Sequence, residues 1–359
     1  MNVGIIGHGR IGQEHARWIA RVSSLRVGTV FDATPARREL AGSTGCNTVG
    51  HLDQLLDDSS IDIVLVSTPT SMHFDHAIAA LDAGKHVMIE KPMAMNLSQA
   101  RQILSKSAEA NRALSVFQNR RWDIDYLTVK QAIRADVLGR VFNVESRLGQ
   151  WASCVGPAAK EWRPNWRNES AFGGGGLFDW GSHFIDQLWR LMLPAKPTTV
   201  FAQLRGNLWT SDPDCDDFAR VLINFDTGAT GLIEINTTTT RPLPRWHIDG
   251  ARGSADSPFS FAFDTDEWAK LTFAPADGGP AQLLQKAAPG LSQVQIWEQF
   301  AQACRGEGAA AITADSVLPT MALLDAARES SLRGAAIELD PAIHFSKKRK
   351  PADDDLWAS

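Results

Sequence analysis

Met1-Asn2-Val3-Gly4-Ile5-Ile6-Gly7-His8-Gly9-Arg10-Ile11-Gly12 opens the chain, and its reading decides the fold. The last six residues spell Gly-x-Gly-x-x-Gly. That pattern is weak alone, but here an apolar run (residues 3–6) precedes it and a helical pattern (residues 11–22) follows. Gly7 permits the tight turn, Gly9 lets backbone approach a pyrophosphate, and Gly12 lets the helix pack closely on the strand. The helix start, with Arg10 and Ile11, then offers free N–H groups and partial positive charge to phosphates. Asp32 lies twenty residues after Gly12, where a carboxylate reaches adenosine ribose hydroxyls. A carboxylate there repels a 2′-phosphate, which favours NAD, while Arg37 and Arg38 close by leave NADP open.

Working outward, short apolar runs at 25–31, 61–67, 86–90 and 114–118 alternate with helical patterns at 36–41, 53–56, 72–83 and 97–110. Such alternation predicts a parallel sheet with helices on both faces, an α/β doubly wound Rossmann domain over residues 1–121. A helix at 126–135 follows. Strand patterns then come at 141–150, 199–205, 217–224 and 231–240, with further candidates at 246–249 and 259–263. Asp226-Thr227-Gly228 marks a hairpin turn. With helices at 183–193, 294–305 and 316–333, residues 122–340 read as an α+β domain with a large open, mostly antiparallel sheet. Residues 341–359 read as a charged, flexible tail.

The 359 residues carry a formal charge of −5, with 44% hydrophobic and 21% charged residues, an ordinary globular balance. This argues against nucleic-acid and membrane-surface partners. No apolar run spans a bilayer and no signal peptide is visible, so the expected location is the cytoplasm. Cys46, Cys154, Cys215 and Cys304 lie far apart, which suggests neither a metal site nor a disulfide framework. There are 12 Trp against one Tyr, most of the Trp beyond Gln118.

Glu90-Lys91-Pro92 directly follows the run at 86–90. Ligands in open α/β sheets sit beyond the carboxyl ends of strands, so Lys91 is aimed at the cofactor crevice. Upstream lies Thr68-Pro69-Thr70-Ser71-Met72-His73. In the second half stands Gly173-Gly174-Gly175-Gly176-Leu177-Phe178-Asp179-Trp180-Gly181-Ser182-His183-Phe184-Ile185-Asp186. Asp179 and His183 are four apart and share one face if a helix begins here. His takes and returns protons near neutral pH, and a neighbouring carboxylate orients it.

These motifs together resemble the glucose–fructose oxidoreductase / inositol dehydrogenase (Gfo/Idh/MocA) family, from the N-terminus to about Leu339. Thr70 stands where that family often has Asn. The resemblance implies Lys91, Asp179 and His183 as the catalytic set, with Asp186 in a structural or substrate-side role. Thr68, Pro69, His73 and Glu90 join the cofactor-binding residues. The implied reaction moves a hydride between nicotinamide and a hydroxyl-bearing carbon of a sugar, inositol or related polyol. His183 handles the hydroxyl proton, Lys91 holds the reacting oxygen and Asp179 orients His183. Two other readings are an NAD-dependent glycosidase that recycles its cofactor and a non-catalytic dinucleotide sensor, which would be expected to lose these side chains.

Arg121 and Trp122, just past the last Rossmann strand, and Trp166 and Arg167, in the irregular stretch 153–170, are candidate substrate contacts, with Trp151 a weaker one. Thr237-Thr238-Thr239-Thr240 reads as a polar strand face. An open sheet needs covering, so a homo-oligomer, dimer or tetramer, is expected through the C-terminal sheet.

Overall fold

The structure is a computed structural model that describes residues 1–152, 166–259, 264–343 and 345. The first layer is built from β1 (Asn2–Ile6), α1 (Arg10–Ile19), β2 (Arg26–Phe31), α2 (Pro35–Gly42), β3 (Asn47–Val49), α3 (Leu52–Leu56), β4 (Ile63–Val66), α4 (His73–Asp82), β5 (His86–Ile89), α5 (Leu97–Glu109) and β6 (Leu114–Val116). The strands form one parallel sheet in the order β3-β2-β1-β4-β5-β6. Val3, Ile5, Ile63, Leu65 and Val87 are fully buried, as continuous apolar runs in a sheet covered on both faces must be. β3 is absent from the sequence reading because Asn47-Thr48-Val49 is three residues long and mostly polar. The order reverses at β1 and β4, which opens a crevice at their carboxyl ends.

The chain continues through α6 (Ile124–Arg134), β7 (Val141–Gly149), a π-helical turn (Leu177–Gly181), α7 (Ser182–Leu191), β8 (Pro197–Arg205), β9 (Phe218–Phe225), β10 (Thr230–Asn236), β11 (Trp246–Gly250), β12 (Gly253–Asp256), α8 (Thr265–Trp268), β13 (Thr272–Pro275), β14 (Gln282–Leu283), α9 (Gln293–Cys304), α10 (Leu318–Arg333) and β15 (Ile337–Glu338). A nine-stranded sheet results, ordered β14-β13-β12-β11-β7-β10-β9-β8-β15. It is mostly antiparallel, but β7 and β10 pair in parallel. The crossover through α7 precedes the β8-β9-β10 meander and returns β10 beside β7 in the same direction. α7 and α10 pack against the inner face of this sheet; α9, though late in the chain, packs back on α1.

Three sequence expectations change. The strand expected at 231–240 ends at Asn236, and Thr237 is buried with its hydroxyl donating to the Asp217 carbonyl at 2.8 Å, so the four threonines are not a strand face. Phe259 is exposed coil, and residues 260–263 lie outside the described residues, as do 153–165 and all but Phe345 of the tail beyond 343. The helix expected from 183 is preceded by a π-helical turn that carries Asp179.

Candidate active site

The glycine turn sits at the mouth of the crevice. Gly7 has φ +93°, and its N–H donates to the Phe31 carbonyl at 2.8 Å. A Cβ on Gly12 would overlap the Gly7 carbonyl oxygen, which explains why only glycine permits α1 to come this near. At Gly9 the nearest atom to an added Cβ is Arg37 Nη1 at 3.5 Å, so that position is open on the protein side. α1 has no side-chain cap and no acid in its first turn, leaving its N–H groups for an anion. Asp32 accepts from His8 N–H at 2.7 Å and Thr34 N–H at 2.8 Å, and Arg37 Nη1 lies 3.7 Å away. Arg38 donates to the Asp32 carbonyl at 2.5 Å and braces the strand end. An uncapped helix start, an open glycine and a fixed carboxylate together fit a dinucleotide.

His73 is buried behind the crevice wall. Its Nδ1 lies 2.8 Å from the Pro92 carbonyl and its Nε2 2.9 Å from the Thr68 carbonyl, so it sits wedged between the Thr68-Pro69 turn and the Lys91-Pro92 turn. Burial lowers its pKa. Thr70 packs against the backbone of Gly173, which takes φ +74° to allow that approach.

Beneath the cofactor crevice runs a buried relay. Trp297 Nε1 donates to His15 Nδ1 at 3.0 Å, and His15 Nε2 lies 2.8 Å from Glu90 Oε1. An indole N–H only donates, so His15 carries its proton on Nε2 and gives it to Glu90. Burial works to raise the Glu90 carboxyl, but the His15 hydrogen bond and the Lys91 charge outweigh it and hold it below the ordinary value. Glu90 Oε2 also accepts the Lys91 N–H at 3.0 Å, which fixes the backbone from which Lys91 projects.

Lys91 then reaches the second half of the chain. Its Nζ donates to the Asp179 carbonyl at 2.7 Å and to Asp179 Oδ1 at 3.2 Å. Arg167 Nε lies 3.6 Å from the same oxygen. Burial opposes the Asp179 charge, yet Lys91 and Arg167 keep its pKa below the usual carboxylate range. His183 is buried one turn along. Burial, then the Lys91 and Arg120 charges, push its pKa well down, so it is neutral at neutral pH. Asp179 makes no hydrogen bond to His183, and His183 Nδ1 has no partner among the described residues. The expectation that Asp179 orients His183 is thus corrected: its carboxylate turns toward the two cations instead, because they offer the stronger attraction.

A cavity of about 170 Å³ joins these groups. Arg10, Ile11, Thr68, Thr70, Glu90, Lys91, Asn119 and Arg120 line it from residues 1–121, and Trp166, Arg167, Phe178, Asp179, Trp180 and His183 from the second half of the chain. Trp166 and Arg167 line the cavity. Arg121 and Trp122 do not. Arg121 is buried in a two-pronged pair with Asp186 at 2.7 and 2.8 Å and also donates to Ser316. Trp122 packs beside Gly290. Residues 119–122 form a 3₁₀ turn, so adjacent side chains diverge by a third of a circle, and Arg120 faces the cavity instead. Asp186 serves structure, holding Arg121 and accepting from Thr320 at 2.8 Å. Trp151 is exposed, edge-on to Trp209, and does not line the cavity. Sequence reasoning missed Arg120, Asn119 and Trp180. Among the described residues no cluster suits a metal ion, and no helix is long and apolar enough to cross a membrane.

Residues 1–118 match the oxidoreductase family with an NAD-binding Rossmann fold, and residues 126–256 match the GFO/IDH/MocA C-terminal domain. The oxidoreductase YdgJ of Escherichia coli is 35% identical over 214 residues, 59% of this chain and 60% of that protein. The scyllo-inositol 2-dehydrogenase (NADP(+)) IolW of Bacillus subtilis is 30% identical over 59% of this chain and 58% of its own length. The matched stretches therefore cover under two thirds of these relatives. An NAD-binding protein of Listeria innocua superimposes with a TM-score of 0.83 at 28% identity, over 96% of this chain and 99% of that one. Both halves of the chain match one family in order along the sequence, and the chain belongs to the GFO/IDH/MocA oxidoreductases.

Proposed function

We propose that the protein is an NAD(P)-dependent dehydrogenase or reductase acting on a CH–OH group of a sugar, inositol or related polyol. The observation that carries this reading is the meeting of Lys91 with Asp179 in a cavity that His183 and the glycine-turn helix also line. Gly7, Gly9, Arg10, Ile11 and Gly12 would hold the pyrophosphate, Asp32 the adenosine ribose, and Thr68, Pro69 and Glu90 the nicotinamide side. Bound there, nicotinamide supplies the acceptor or donor of hydride. Lys91 hydrogen-bonds the reacting oxygen and stabilises its negative charge. His183, kept neutral by burial and nearby cations, accepts the hydroxyl proton in oxidation and returns it in reduction. Asp179 holds the Lys91 ammonium in place through its carbonyl and Oδ1.

Asp32, with both oxygens fixed at the strand end, supports NAD over NADP. Residues 1–121 act as the cofactor domain and 122–340 as the substrate domain. The outer face of the sheet exposes Phe201 directly across from Leu222, which supports burial of this face in a homo-oligomer. Free Cys46, Cys215 and Cys304 suit the reducing cytoplasm. The test follows nicotinamide absorbance with NAD and with NADP across inositols, aldoses and sugar acids. His183→Ala should lower turnover by about 10²–10⁴-fold with dinucleotide affinity retained. Turnover unaltered by that substitution would overturn the assignment.

A further inference from the structure

The walls of the cavity facing Lys91 carry more positive than negative charge. Asp179 serves two cations at once, Lys91 at 3.2 Å and Arg167 at 3.6 Å. Arg120 meets Asp123 at 3.1 Å while lying over the Trp180 ring. Glu90 is engaged by His15 and the Lys91 N–H on the cofactor side. Among the described residues on the substrate side, Lys91, Arg120 and Arg167 are met by Asp179 in the wall and by Asp123 behind it, an excess of one positive charge.

Arg167 is where that excess is available. Its guanidinium carbon lies 4.3 Å from the Trp166 ring centroid, a cation–π contact. Among the described residues its one ion pair, to Asp179 at 3.6 Å, is too long for a hydrogen bond, and it donates none. A guanidinium has five N–H donors in a fixed fork, the shape that takes a carboxylate through two parallel bonds. Half-buried in a cavity, such a fork is costly without an acceptor. Burial first, and then the Lys91 and Arg120 charges, lower the basicity of His183, which agrees with a positive field in this cavity.

Resting on the reading of this site as a polyol dehydrogenase, we infer that the substrate is a polyhydroxylated carboxylic acid, an aldonic or uronic acid, whose carboxylate docks on Arg167. One excess charge matches a carboxylate. A phosphate monoester, with nearly two negative charges at neutral pH, would leave one uncompensated.

The test compares three members of each sugar series, the uronate, its methyl ester and the neutral aldose, together with the matching sugar phosphate. Turnover is read with NAD and NADP. Binding is read by equilibrium dialysis against enzyme saturated with dinucleotide. The acid should exceed its methyl ester and aldose in kcat/KM by about 10- to 100-fold, the size of a hydrogen bond to a charged group. Arg167→Gln should collapse that ratio through KM, and Arg167→Lys should restore part of it. Equal or better turnover of the neutral sugars, or preference for the phosphate, overturns the inference and leaves the dehydrogenase reading standing. Absence of turnover with every compound overturns the dehydrogenase reading. In that event uronate binding that Arg167→Gln abolishes would still support the carboxylate site, and its absence would sink it too.

Discussion

Trp297 donates its indole N–H to His15 Nδ1 at 3.0 Å across 282 residues of chain, and so fixes the proton that His15 gives to Glu90. The last long segments of the chain thereby brace the loop that projects Lys91. Trp297→Phe keeps an aromatic ring but loses part of the buried volume with the N–H, and leaves His15 Nδ1 buried without a donor. The expected cost is about 1–3 kcal/mol of stability. Urea unfolding followed by fluorescence measures it, and an unaltered midpoint would show that the relay contributes nothing.

Gly9 and Gly12 differ in what they forbid. Gly12→Ala places a Cβ on the Gly7 carbonyl oxygen, so α1 must move and both stability and dinucleotide binding should fall. Gly9→Ala meets nothing closer than Arg37 Nη1 at 3.5 Å. It should fold normally, with a melting temperature near that of the parent, and bind dinucleotide at least about tenfold more weakly if backbone approach there matters. Normal binding by Gly9→Ala would remove this glycine from the cofactor site.

Lys91 lowers the His183 pKa, second only to burial. Lys91→Met removes a positive charge, so the imidazole should titrate at higher pH than in the parent. NMR titration of the His183 ring reads this directly. A shift downward, or none, would mean that Lys91 and His183 do not share one electrostatic field.

Asp216 anchors the turn that carries Asp179. Its Oδ2 accepts the Leu177 N–H at 2.8 Å, and its carbonyl accepts from Gly176 at 2.8 Å. Burial, with the Asp217 charge adding, raises its carboxyl to about 7 from 3.8. The folded state therefore holds this proton more tightly than the unfolded chain. By linkage, Asp216 costs stability progressively as pH rises from about 4 to about 7, and the cost is full above that. Asp216→Asn keeps a carbonyl acceptor for Leu177 and cannot ionise. Its melting temperature should gain on the parent at pH 8 and not at pH 4. Parallel profiles would place the Asp216 proton elsewhere.

Several features were legible in the sequence because they depend on a few adjacent residues. The strand-turn-helix at Gly7–Gly12 follows from local sterics, Asp32 from the length of one helix and one strand, and Lys91 from the rule that loops after parallel strands face the crevice. The Asp179–His183 spacing survives even as a π-helical turn running into α7, since residues four apart stay on one side of either. What tertiary structure alone decided involves partners distant in sequence. Lys91 meets Asp179 across 88 residues and captures the carboxylate that spacing assigns to His183. Arg121 turns inward because Asp186 waits there, and its neighbour Arg120 inherits the cavity. β7 pairs in parallel with β10 because a crossover intervenes. Short-range periodicity carries no information about which distant charge lies nearest, and in a buried cavity that proximity decides which groups pair.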